Sequence, residues 1–207
     1  MIEFAGVSVF ALTGALVAAR KGMDPFGFIL LASVTGAGGG TLRDLLLNRS
    51  VWWVDAPLGV VVCIAVALIA WIVAFVRPGL LDDWGAKRLL IWADAAGLSL
   101  FAVVGTKTAL AADVPLLSAI ALGAMTASFG GILRDILAGD RAMVLWSRDF
   151  YVTAAACGAA TTALMTHFGF GPLAVMTGGL AAGFGLRAGS ILFGWSFPHL
   201  PGHDAPR

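Results

Sequence analysis

Two stretches of this chain set an arginine and an aspartate side by side just beyond a run of glycines. They read Thr35-Gly-Ala-Gly-Gly-Gly-Thr-Leu-Arg-Asp44 and Thr126-Ala-Ser-Phe-Gly-Gly-Ile-Leu-Arg-Asp135. Both lie in apolar surroundings, where a charge costs commonly a few kcal/mol and so faces a bundle interior or a watery cavity. Neighbouring residues on a helix point in different directions. The sequence therefore predicts that Arg43 and Asp44, like Arg134 and Asp135, find partners elsewhere and not in each other. The alternative has the arginines snorkelling to the headgroups and the aspartates capping loops. Recurrence of the dipeptide toward both membrane faces favours a role in function.

The glycines carry a second expectation. Each costs a helix interior about 1 kcal/mol against alanine, so Gly38, Gly39 and Gly40, matched by Gly130 and Gly131, predict a kink or unwound point in each helix. Broken helices at matching places in two halves are the usual pointer to a transport site. Close helix packing through Gly36-x-x-x-Gly40 is the competing reading. Thr35, Thr126 and Ser128, with Ser8, Thr13, Ser99 and Thr106, offer hydroxyl oxygens to a desolvating ion, unless they bond their own helix backbone. Lys107 stands where the repeat described below has Leu16; it either lines the path as a gating charge or snorkels. Glu3 and Asp94 join the dipeptides at opposite mouths, giving each a mixed charge.

Catalytic patterns are absent from the sequence. No Gly-x-Ser-x-Gly or His-Glu-x-x-His occurs, and Cys63 and Cys157 sit in apolar runs as small hydrophobes. No cofactor or metal motif is present; His199 and His203 fall in a short polar tail. With 59% hydrophobic and 12% charged residues in 207, and a mean hydropathy of +0.93, a water-soluble enzyme is excluded. A net charge of +1 supplies no basic field for nucleic acid.

The elements that must position these residues are membrane spans. Apolar stretches run over residues 2–19, 26–47, 58–76, 89–112, 116–137, 150–168 and 172–193, each near the roughly 20 residues that cross a bilayer. The fold class is thus an all-α integral membrane protein of seven transmembrane helices. Arg20, Lys21, Arg77, Lys87, Arg88, Arg141, Arg148 and Arg207 fall on one side and Arg49 alone on the other. The positive-inside rule then puts the N-terminus outside and the C-terminus in the cytoplasm. Trp52, Trp53, Trp84 and Trp146 read as interfacial anchors.

Sliding the chain by 91 residues matches Gly6 to Gly97, Ser8 to Ser99, Phe10 to Phe101, Gly14 to Gly105, Thr35 to Thr126, Arg43 to Arg134 and Asp44 to Asp135. Each copy holds three helices, an odd number, so the two enter the membrane from opposite faces: an inverted repeat. This divides the chain into a first triplet (1–76), a cytoplasmic linker (77–88), a second, inverted triplet (89–168), a seventh helix (169–195) and a cytoplasmic tail (196–207). The seventh helix lies outside the duplication. Its Gly179-x-x-x-Gly183 and Gly185-x-x-x-Gly189 spacings suit close packing.

Two inverted triplets plus one helix, with Gly-Gly-x-Leu-Arg-Asp in helices two and five, resemble a prokaryotic member of the trimeric intracellular cation channel family. The resemblance implies a homotrimer in the bacterial inner membrane, each protomer with an hourglass pore lined by helices two and five and bent at the glycines. It implies a path for potassium and also sodium, with membrane lipid as surroundings. Gly38, Gly39, Gly40, Arg43 and Asp44 match the family motif in the first triplet, and Gly130, Gly131, Arg134 and Asp135 in the second. The Lys-Glu-Val segment tied to phosphoinositide binding in animal relatives is not visible here. Some bacterial proteins with the same motif are assigned as glycine transporters, which keeps a small amino-acid carrier as the alternative.

Overall fold

The computed structural model describes residues 2–81, 84–146 and 149–196; Arg148, His199, His203, Arg207 and the tail beyond Ser196 lie outside the described residues. The long helices are α1 (Ile2–Arg20), α2 (Pro25–Leu46), α4 (Leu58–Val76), α5 (Trp84–Leu110), α6 (Leu116–Leu137), α8 (Val152–His167) and α9 (Pro172–Phe193). Single turns α3 (Trp52–Asp55) and α7 (Met143–Trp146) follow α2 and α6. Six of these are long and apolar enough to cross a membrane; α8, with 16 residues, is the exception. At 1.5 Å per residue it spans about 24 Å, short of the roughly 30 Å hydrocarbon core.

Local chemistry sets the helix ends. The Asp24 side chain accepts from Gly27 N at 2.8 Å, and Pro25 opens α2, where its missing N–H costs nothing. At the far end of the chain α9 stops at Gly194, whose φ of 68° is the left-handed cap that glycine adopts without strain.

The 91-residue offset reappears in space. It carries the limits of α2 onto those of α6, and those of α3 onto α7. A side chain on Gly39 would meet the Thr126 carbonyl, and one on Gly130 the Thr35 carbonyl. Residue 35 thus faces 130 while 39 faces 126, so the two helices run in opposite senses and cross near Ala37 and Ser128. The same exchange governs α1 and α5: Phe10 packs over Gly97, Phe101 over Gly6, and the two rings lie 5.2 Å apart. The core is therefore built on a local two-fold axis.

Outside this core, α4 buries only Gly59, Cys63, Ala67 and Ala70, a stripe of small residues, and leaves its Val, Ile and Phe side chains mostly outward. Helix α9 docks on α8 through glycines: a side chain on Gly179 would meet Thr162 Oγ1, and Gly158 approaches Gly183.

Candidate functional site

The fold gathers most of the charged candidates into two buried clusters, one at each end of the α2–α6 crossing. Arg43 and Arg134 each lie six residues beyond the crossing point, at most about 9 Å along the axis. Arg43 and Asp44 are both 3% exposed, Arg134 and Asp94 both 1%. Snorkelling is thereby ruled out for these two arginines.

One sequence expectation is corrected. Within each dipeptide the two side chains do pair: Arg43 Nε donates to Asp44 Oδ1 at 2.9 Å, and Arg134 Nε to Asp135 Oδ1 at 2.9 Å. Divergent Cα–Cβ directions are overcome because a guanidinium on its long flexible stem reaches back across the neighbouring carboxylate. The second carboxylate oxygen caps the following turn. Asp44 Oδ2 accepts from Trp52 N at 3.0 Å and Asp135 Oδ2 from Met143 N at 2.8 Å, positions again 91 apart.

Each arginine also faces an acid from the first helix of its own repeat. Arg134 Nη1 donates to Asp94 Oδ1 at 2.8 Å and to Thr13 Oγ1, across the repeat boundary, at 3.0 Å. The equivalent pair at the other end is looser: Arg43 Nη2 stands 3.8 Å from Glu3 Oε1, and Glu3 is 37% exposed. Arg43 Nη1 is buried without a partner, as is Trp52 Nε1. Glu3→Gln is accordingly expected to cost less than ~1 kcal/mol, checked by the thermal midpoint of the detergent-solubilised protein.

The glycine expectation is also revised. Helices α2 and α6 are hydrogen-bonded without interruption, so neither contains an unwound point. Gly39 and Gly130 admit the partner backbone instead. Gly40 leaves room for Trp52 Nε1 and Gly131 for the Tyr151 hydroxyl, while Gly38 faces Leu133. Trp52 is therefore turned into the bundle and is no simple interfacial anchor, and Trp53 Nε1 bonds Thr41 Oγ1 at 2.9 Å.

Thr35, Thr126 and Ser128 donate to the carbonyls of Leu31, Leu122 and Ala124 on their own helices. Their lone pairs remain free to accept, as Thr13 shows by receiving Arg134. Lys107 is exposed in the last turn of α5 and joins neither cluster. The groove beside the crossing, about 410 Å³ and lined by Val34, Gly38, Thr41, Phe129 and Leu133, is almost wholly apolar.

Arg187 is a residue the sequence reading missed. It comes from α9, is 1% exposed, lies 5.1 Å over the Tyr151 ring, and has Nη1 3.5 Å from Asp149 Oδ2. The available signal was an arginine in the middle of an apolar span.

Comparison with known proteins places this architecture. The family model described as Glycine transporter matches residues 1–74 and 91–167, the two triplets without the linker. A UPF0126 membrane protein of Vibrio cholerae is 39% identical over 200 residues, 96% of this chain and 81% of that protein. The UPF0126 inner membrane protein YadS of Escherichia coli K12 is 37% identical, covering 76% and 73%. Among solved structures, the TRIC trimeric intracellular cation channel orthologue from Rhodobacter sphaeroides superposes with a TM-score of 0.86 at 44% identity, over 94% of this chain and 97% of that one. A structure described for conductance through TRIC cation channels gives 0.84 at 27% identity, covering 99% and 98%. The fold is that of a multi-pass membrane protein, and it is shared with structures described as cation channels. The chain belongs to the TRIC family, the family of the Glycine transporter model and the UPF0126 proteins.

Proposed function

We propose that this protein is a potassium-permeable monovalent cation channel with a conduction path inside each protomer, along α2 and α6. The observation that carries the reading is the charge of the two buried clusters. Glu3, Arg43 and Asp44 sum to −1, and so do Asp94, Arg134 and Asp135. The excess carboxylate is buried, in a low dielectric, at the Arg134 end and is the partly exposed Glu3 at the Arg43 end; at either it attracts a cation and repels an anion. Each guanidinium occupies the carboxylates a passing cation would use, so it is both stopper and placeholder. Conduction requires these groups to part, since they are sealed here. Once they part, the lone pairs of Thr35, Thr126 and Ser128 near the crossing supply weak coordination, which lets an ion leave as well as arrive.

The lysine and arginine bias supports an outside N-terminus and a cytoplasmic C-terminus. It agrees with the Lys21–Asp140 ion pair, which joins the α1–α2 and α6–α7 turns on one face. The related structure described as a trimeric channel, and the outward apolar face of α4, support a homotrimer. The family model's description makes glycine the competing cargo.

Purified protein in potassium-loaded liposomes decides between them. Potassium efflux down its own gradient, at a rate unaffected by added glycine, is the expected result. Saturable glycine uptake without ion conductance would overturn the channel in favour of the carrier.

A further inference from the structure

The two clusters differ in how tightly they are held. Arg134 has three close partners, Asp135, Asp94 and Thr13. Thr13 is the one that binds the repeats together, since it belongs to α1 and the arginine to α6. Its counterpart under the two-fold is Val104, which has no hydroxyl, and at that end Arg43 Nη1 is left without a partner. The threonine is thus a fastening present at one mouth and missing from the other.

A second group faces the same aspartate. The Tyr151 hydroxyl is buried beside Asp94 but makes no hydrogen bond of good geometry, and Asp94 Oδ2 likewise has none. Around the place where a Gly131 side chain would begin, Tyr151 Oη lies at 2.9 Å, Asp94 Oδ1 at 3.6 Å and Arg134 Nη2 at 3.7 Å. A buried hydroxyl without a partner, beside a carboxylate whose second oxygen is also unpartnered, is costly and marks an arrangement poised for a second set of bonds. If Arg134 leaves Asp94, the carboxylate loses its donor in a dry site, and the tyrosine is the donor standing beside it. Arg187 over the ring and the small residue at 131 hold the hydroxyl in that place.

We propose that Thr13 and Tyr151 set the gate at the Arg134 mouth in opposite directions: Thr13 holds Arg134 in the closed position, and Tyr151 takes over Asp94 when the arginine swings out. This rests on the channel reading and names the regulation of that same site. Both are positioning residues, acting through Arg134 and Asp94.

The test is single-channel recording of the full chain in planar bilayers under a potassium gradient. Thr13→Val removes the fastening at nearly constant volume and is expected to raise open probability about five- to tenfold, the weight of one hydrogen bond. Thr13→Ser, which keeps the hydroxyl, should restore the closed bias. Tyr151→Phe keeps the ring beneath Arg187 and is expected to lower open probability by a similar factor. Val104→Thr, which gives Arg43 the missing acceptor, is expected to lower it too. Shifts of Thr13→Val and Tyr151→Phe in the same direction, or no shift in either, overturn the inference while leaving a conducting channel. Absence of any potassium current from the unmodified protein overturns the channel reading, and this inference with it.

Discussion

Arg134→Ala is expected to destabilise the protein by about 3–5 kcal/mol, the cost of removing one partner from a buried ion pair. Its loss strands Asp94 and Asp135, 1% and 6% exposed, with no cation between them. It also removes the donor to Thr13, and with it one tie between the repeats. The matching substitution Arg43→Ala should cost distinctly less, because Glu3 is partly solvated and one arm of Arg43 is already unpartnered. Thermal unfolding in detergent, followed by size-exclusion recovery, reads both. Asp94→Asn added to Arg134→Ala should recover part of the loss, since it takes away one of the two stranded charges. Equal midpoints for Arg134→Ala and the unmodified protein would mean that the cluster is wet and not sealed.

This expectation departs from what the sequence alone supports, and the reason is physical. A 91-residue offset and a recurring Arg-Asp pair fix which positions are equivalent, so the two-fold and the Glu3–Asp94 correspondence were legible. What spacing encodes is the direction of Cα–Cβ bonds. It does not encode the reach of a guanidinium, so the pairing of Arg43 with Asp44 was invisible. Nor does it reveal which helix crosses which glycine: a three-glycine run reads equally as a hinge or as a seat for another backbone. The partner's carbonyl, from a residue about ninety positions away, decides that. Arg187 escaped notice because α9 has no counterpart in the repeat, so no matching residue drew attention to it. The inequality of the two mouths rests on one hydroxyl, Thr13 against Val104, a difference that looks trivial until Arg134 is seen to need an acceptor there.

The crossing itself carries the other large effect. Gly39→Ala and Gly130→Ala are each expected to destabilise the bundle, although alanine favours an isolated helix by about 1 kcal/mol. The new Cβ would run into the Thr126 carbonyl oxygen in the first case and the Thr35 carbonyl oxygen in the second. Both obstacles are backbone carbonyls within continuous helices, so no rotamer change relieves them and the helices must move apart. Parting at one contact loosens its two-fold mate, and overpacking of this kind costs typically 1–3 kcal/mol, enough to reverse the sign of the helix-propensity gain. Gly185→Ala on α9 is the control, because nothing lies within 4 Å of its added carbon. It should be neutral or stabilising by up to ~1 kcal/mol. Midpoints of the three variants, measured in one detergent, therefore separate close approach from intrinsic propensity: an α2 or α6 variant as stable as Gly185→Ala would show that these glycines are hinges after all.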